Sequence, residues 1–227
     1  MGVQYNLNVI NNSTQTGDMC IYQSDPNTND PKVMSLAWFS KRATPATKLK
    51  FTWTIDYSFV WSETGVLVPG VIFDASQTFP ADLSTTNQIT FSDVGGAFNF
   101  SGQTAGPSAG SLYVLQDKTI PSNVASVGIG MSGAGTFVVP SQPNMTDIFT
   151  PKPKYWITFG NYIAGQVLDI TSISQKANLA YPFNIYSLTA TFNPDNTWTV
   201  GSTATMNANF VRSLQRNKEA SWGVDAA

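Results

Sequence analysis

The residue types that most often do chemistry are scarce in this chain. It has 227 residues and no histidine. That removes the usual general base at neutral pH, the usual activator of a serine or cysteine nucleophile, and the commonest transition-metal ligand. The one cysteine, Cys20, sits in the apolar run Met19 to Tyr22. Alone it forms no intramolecular disulfide, and without a histidine partner it reads as a buried strand thiol rather than a nucleophile. Paired carboxylates could hydrolyse a glycosidic bond without histidine, if held about 5–10 Å apart. Asp56 and Glu63, flanking the strand that ends at Trp61, are the pair on offer.

Two further spacings invite a test. Asp25, Asn27, Asn29 and Asp30 space oxygen side chains like the start of a calcium loop. An EF-hand needs Gly at the sixth position and Glu at the twelfth; here they are Asp30 and Leu36, which excludes it. A looser calcium loop remains the alternative to a turn rich in Asx hydrogen bonds. Gly128-Ile-Gly-Met-Ser-Gly133 matches the dinucleotide fingerprint letter for letter. That fingerprint requires a following helix whose N-terminus meets the pyrophosphate, and here a strand-like run ended by Pro140 follows. Close backbone approach or a bulge explains Gly128 and Gly130 better. No cofactor or metal is expected, and no enzymatic activity.

The tryptophans are the remaining candidates. Most lie on apolar strand faces, so core is their default. Trp61 and Trp198, next to turns, and Trp222, in the tail, are the candidates for an exposed binding role.

The elements that carry these residues show period-two alternation. The clearest run is Phe51 to Trp61: Phe51, Trp53, Ile55, Tyr57, Phe59 and Trp61 share one face, and Thr52, Thr54, Asp56 and Ser58 the other. A helix would scatter those side chains around its circumference; one strand buries them together. Ser62 to Gly65 then predicts a turn, and Val66 to Phe73 a returning strand. Strands are also expected at 88–91, 97–100, 112–115, 126–131, 136–139, 155–159, 167–173 and 186–192. The segment Val33 to Phe39 is a strand or a short helix. Phe192-Asn-Pro-Asp-Asn-Thr-Trp198 predicts a hairpin turn, with Pro194 pre-setting a torsion and Asp195 and Asn196 tolerating unusual ones. Met206, Phe210, Val211 and Leu214 recur at helical spacing, and a short amphipathic helix is expected over Asn209 to Ala220, packed on its own sheet. These elements predict one all-β domain over residues 1–227, a β-sandwich of roughly ten or more antiparallel strands with a C-terminal helix.

Composition agrees. Hydrophobic residues make up 42% and charged residues 11%, well below the roughly 25% of an average soluble domain. Solubility then rests on Ser, Thr, Asn and Gln. The twelve basic residues are scattered and the net charge is −2, which argues against a nucleic-acid partner. No apolar run reaches the ~20 residues of a spanning helix, and residues 1–10 do not read as a signal peptide. A soluble protein is expected, cytoplasmic or exported without a cleaved signal.

Several runs resemble a known family. They are Tyr5-Asn-Leu-Asn-Val-Ile-Asn-Asn-Ser13, Cys20-Ile-Tyr-Gln23, Asp25-Pro26 and Met34-Ser-Leu-Ala-Trp-Phe-Ser-Lys41. Trp53 through Trp61 and Val127 through Val139 extend the likeness over most of the chain. They resemble the RhiA family of rhizosphere-expressed proteins of plant-associated bacteria. The resemblance implies an abundant soluble protein made under population-density control (quorum sensing) on plant roots. It implies no reaction and no catalytic residues.

The function expected from these readings is a non-enzymatic interaction or self-assembling protein whose partner is itself, as a homo-oligomer or polymer. The alternatives are a carbohydrate-binding, lectin-like module for polysaccharide, which predicts a solvent-facing row of aromatics, and a membrane-active β protein.

Overall fold

The alternation folds as strand almost throughout. In the computed structural model, residues 3–24, 27, 30 and 32–222 are described, and they form seventeen strands and one helix. In chain order these are β1 (Gln4–Asn11), β2 (Gly17–Ser24), β3 (Met34–Ala43), β4 (Lys48–Thr54), β5 (Tyr57–Ser62), β6 (Gln77–Ala81), β7 (Gln88–Val94), β8 (Ala97–Thr104) and β9 (Leu112–Gln116). Then follow β10 (Ser126–Met131), β11 (Ala134–Pro140), β12 (Met145–Phe149), β13 (Lys154–Gly160), β14 (Val167–Leu168), β15 (Lys176–Asn178), β16 (Ser187–Phe192), β17 (Trp198–Ser202) and the helix α1 (Thr203–Trp222). The expected all-β sandwich is what forms.

Three sheets make its layers. A nine-stranded sheet runs β15-β13-β2-β3-β11-β10-β5-β6, with β14 paired to β3; four-stranded sheets of order β17-β16-β1-β4 and β12-β9-β7-β8 pack on it. The first four-stranded sheet meets β2, β3 and β13 through a core of Leu7, Phe51, Trp53, Leu188 and Phe192 against Ile21, Trp38 and Ile157. The second meets β5, β10 and β11 through Ile89, Phe91, Val114 and Phe149 against Phe59, Val127 and Val139. Each large apolar side chain buried this way contributes about 1.5–3 kcal/mol of transfer free energy.

Five expectations are corrected. Not every pair is antiparallel: β1 with β16 and β7 with β9 run parallel. These partners are not joined by hairpins, so no tight turn dictates their direction. The run Phe51 to Trp61 is two strands, not one. β4 pairs with β1 in a four-stranded sheet, while β5 pairs with β10 and β6 in the large one. The chain changes sheet at Ile55 and Asp56, where Ile55 turns outward, 41% exposed. The corner is tied to the β10–β11 turn: Asp56 Oδ1 accepts hydrogen bonds from the Thr54 hydroxyl (2.8 Å) and the Ser132 N–H (3.1 Å), and Ser132 Oγ accepts one from the Thr54 N–H (3.2 Å).

Val66 to Phe73 is a loop, and the returning strand beside β5 is β6. Pro69 has no N–H for a ladder and Gly70 stands at φ +98°, which together end any strand there. The expected strand 167–173 shrinks to β14. Finally, α1 begins at Thr203 rather than Asn209. Ser202 sets that start, its Oγ accepting a hydrogen bond from the Thr205 N–H at 3.1 Å as an N-cap does.

Candidate functional site

An aromatic cluster forms where β1, β4, β13 and the segment after β15 converge. Tyr5 and Trp53 are direct cross-strand partners in the β1–β4 ladder, and their rings stack 6.1 Å apart at 10°. Tyr155 enters from the start of β13. The Leu179 N–H donates to the Tyr155 carbonyl (2.8 Å), which folds the chain after β15 back over it. That return delivers Tyr181, whose hydroxyl donates to the Asn6 carbonyl at 3.0 Å. Tyr181 stands edge-on to Tyr5 (4.9 Å, 86°) and to Tyr155 (6.2 Å, 87°). Trp38 closes the cluster from β3, with its indole N–H donating to the Met131 carbonyl at 2.8 Å.

Beside these rings lies an open cavity of about 370 Å³ lined by Tyr5, Ile55, Tyr155, Asn178, Ala180 and Tyr181 among others. Lys154 is the charged residue of its lining, and no carboxylate belongs to it among the described residues. The Tyr155 hydroxyl and the Trp53 indole N–H, both buried, lie beside one another and have no other hydrogen-bond partner. Burial holds the phenols of Tyr155 and Tyr181 above their ordinary range, so both keep their protons at neutral pH.

The second feature is α1. Its start is anchored by Thr203, whose hydroxyl meets those of Ser187 (2.9 Å) and Thr189 (3.2 Å) and accepts from Asn8 Nδ2 (3.3 Å). Met206 is half-buried, while Phe210 is 64% and Val211 52% exposed. Of the stripe expected to pack on the protein's own sheet, Met206 does so in part and Phe210 and Val211 face solvent, while the Leu214 side chain lies outside the described residues. A cleft of about 380 Å³ separates the helix from the sheet, lined by Ile10, Lys48, Thr191, Met206 and Phe210.

The residues singled out from sequence fare unevenly. Trp61 is buried at 7%, with its indole N–H donating to Gln77 Oε1 at 2.8 Å, so it is a core residue rather than an exposed one. The turn beside it does not open it to solvent, because Phe91 and Phe98 pack on its ring. Trp198 is half-buried, packed on Phe192 at 5.0 Å. Trp222 ends α1, and its side chain lies outside the described residues.

Of the candidate calcium loop, Asp25 and Asn29 lie outside the described residues. Asn27 bonds to the backbone of Thr150, and Asp30 Oδ1 accepts from the Lys32 N–H at 2.7 Å. Among the described residues no three metal-binding side chains cluster. Asp56 and Glu63 sit at opposite ends of β5, roughly 20 Å apart at the strand rise, too far to act as a hydrolytic pair. Cys20 is buried, and burial raises its thiol pKa far above the usual range. Gly128 lies in the β10–β11 hairpin rather than before a helix, and a bulge falls between Ile129 and Gly130.

Two features escaped the sequence reading. Tyr5, Tyr155 and Tyr181 come together from three distant segments, and no spacing signals that. Asp147 is a fully buried acid held by Gln116 Nε2 at 2.7 Å, with its carboxyl pushed up to about 6, chiefly by desolvation. Its place in the apolar-alternating β12 was the available signal, since a charge on the inward face of a strand is out of pattern.

A family model described as RhiA matches residues 2–203. Over 202 residues the chain is 40% identical to "Protein RhiA" of Rhizobium leguminosarum bv. viciae, covering 88% of this chain and 87% of that protein. No solved structure matches it. The family match ends at Thr203, the residue at which α1 begins.

Proposed function

The chain belongs to the RhiA family, and from that premise we propose that it is a non-enzymatic interaction protein that associates with further copies of itself through its C-terminal helix. One observation carries this: α1 exposes the neighbouring apolar side chains Phe210 and Val211 to solvent. Met206 and Phe210, four positions apart, share a helix face, and Val211 adjoins Phe210 at its edge. Twenty residues of helix span about 30 Å, and the hydrogen bonds that tie it to β1 and β16 come from Thr203 in its first turn. Exposed apolar side chains that neighbour one another on an otherwise polar surface mark association sites. A second copy presents the same stripe, so the two can pair isologously about a two-fold axis. The low charge of the chain supports the reading, because little repulsion opposes contact between copies.

The rest of the reading is supported by side chains that bind without reacting. The Cys20 thiol is sealed, and the phenols of Tyr155 and Tyr181 are held protonated. The family and the Rhizobium relative support a setting among plant-associated bacteria. Density-controlled life on roots is the context we infer for the assembly.

Light scattering of the full-length chain over a wide concentration range tests this, beside a variant carrying Phe210→Ser and Val211→Ser. The expected result is a defined oligomer for the natural chain and a monomer for the variant. A natural chain that stays monomeric at every concentration refutes self-association. An oligomer that survives both substitutions refutes the helix as its seat.

A further inference from the structure

We propose that the cleft between α1 and the outer face of its sheet binds a free single-chain anionic amphiphile, its acidic head held by Lys48 and Lys50 and its acyl chain laid along the helix. The inference does not rest on self-association, with which it shares Phe210.

The outer face of the sheet is built in rows. Strand alternation sends Leu49 inward to the core and leaves Lys48 and Lys50 outward, both exposed. The pairing of β1 with β4 and β16 sets Lys50 beside Asn8 and Thr189, and Lys48 beside Ile10 and Thr191. Thr203 ties the foot of α1 to the first row through Asn8 and Thr189. Met206 and Phe210, further along the helix, line the cleft together with Ile10 and Thr191 of the second row.

The cleft therefore has two unlike parts. One, of about 440 Å³, is lined by Asn8, Lys48, Lys50 and Thr203 among others. The other, of about 380 Å³, has Ile10, Met206 and Phe210 as its apolar wall. Ile10, Lys48, Thr189 and Asn207 border both, so the two are continuous. Each volume lies within the roughly 300–1,000 Å³ of small-ligand sites. A hydrocarbon chain in the second part removes its own surface and that of the wall from water, which is favourable in proportion to the area covered.

Charge selects the head. Lys48 and Lys50, two residues apart on one strand, stand about 7 Å apart. Neither makes an ion pair or a side-chain hydrogen bond among the described residues. No Asp or Glu occurs in β1, β4, β16 or β17, and none lines the cleft among the described residues. A carboxylate or phosphate head meets two cations and no like charge there, whereas a cationic head meets repulsion. An ammonium group is a point charge without the planar fork of a guanidinium, so it takes either kind of anion.

Isothermal titration calorimetry of the full chain with dodecanoate, kept below its micelle concentration, reads the binding directly. Dodecanoate is expected to bind. Acetate, the same head without the chain, should bind at least about 10-fold more weakly, since each buried methylene adds to affinity. Dodecyltrimethylammonium, the same chain with the opposite charge, should also bind more weakly than dodecanoate. Lys48→Ser together with Lys50→Ser should weaken dodecanoate about 3–20-fold, the loss of two exposed charge contacts. Asn207→Glu, at an exposed helix position bordering both parts, should weaken it as well by adding a like charge. Circular dichroism confirms that each variant is folded. Absence of dodecanoate binding overturns the proposal, as does equal binding of the cationic amphiphile or affinity unchanged in both variants. Sedimentation with phosphatidylglycerol vesicles in the absence of dodecanoate binding would make a membrane the source of the head and overturn the free ligand. Light scattering of the same variants, which keep Phe210 and Val211, reads self-association separately from dodecanoate binding.

Discussion

The rings of Trp53 and Tyr155 lie 5.2 Å apart, tilted by 56°, and the buried Trp53 indole N–H and Tyr155 hydroxyl have no hydrogen-bond partner but each other. Both sit in the principal core, Trp53 at 1% and Tyr155 at 7% exposure. Removing either one would leave the other buried and unpaired, at a cost of about 1–3 kcal/mol.

Tyr155→Phe should therefore destabilise the protein by about 1 kcal/mol, a fall of roughly 2–4 °C in Tm for a domain of this size. Thermal unfolding checks it. A gain of stability would show that the indole N–H and the hydroxyl do not pair.

Asp147 predicts a pH dependence. Its carboxyl is raised to about 6 by burial, against roughly 4 when unfolded. Between those values the folded state binds more protons than the unfolded one, so stability falls as pH rises through that window. The loss is on the order of 2 kcal/mol, fully present above about pH 6. Asp147→Asn should flatten this fall and leave the protein more stable than the natural chain at pH 8, read by chemical denaturation at a series of pH values. An unchanged slope would place the titration elsewhere.

The glycines of the β10–β11 hairpin should separate into two kinds. A Cβ on Gly128 would lie 2.0 Å from the Phe137 carbonyl oxygen, an overlap with backbone that only movement of a core strand relieves. Gly128→Ala should cost about 3 kcal/mol or more. Gly133, at the turn with φ +77°, has open space around it, so Gly133→Ala meets only the left-handed torsion and should cost about 1 kcal/mol. Equal costs at both sites, measured by urea unfolding, would contradict this account.

Ending the chain at Ser202 should leave the sandwich folded with its unfolding midpoint little changed. The helix covers few apolar groups of the sheet, and Phe210 and Val211 are exposed already. The same truncation should abolish concentration-dependent association. Collapse of the fold would mean that the Thr203 hydroxyl contacts with Ser187 and Thr189 matter more than burial suggests.

Local patterns were legible in the sequence where local chemistry decides them. The hairpin at Phe192 to Trp198 forms as its residues dictate, with Asn196 at φ +64° and the Asn193 N–H donating to the Thr197 carbonyl at 2.8 Å. β10 spans the residues its alternation marks, Ser126–Met131. Elsewhere the same alternation misled. Phe51 to Trp61 keeps one apolar face in sequence, yet Trp53 and Trp61 enter different cores, because period two states which way a side chain points and not which sheet lies there.

By itself, the sequence determined that this chain is all β, poor in charge and without histidine chemistry, because composition and residue period act within a few residues of backbone. Only the tertiary structure decided that Tyr5, Tyr155 and Tyr181 share a cavity wall, that Trp61 is sealed and that Phe210 is not. Those outcomes rest on pairings such as β1 with β16 and β13 with β2. Contacts between segments so far apart in the chain depend on the packing of whole sheets, a balance of burial against chain entropy that no local stretch of residues encodes.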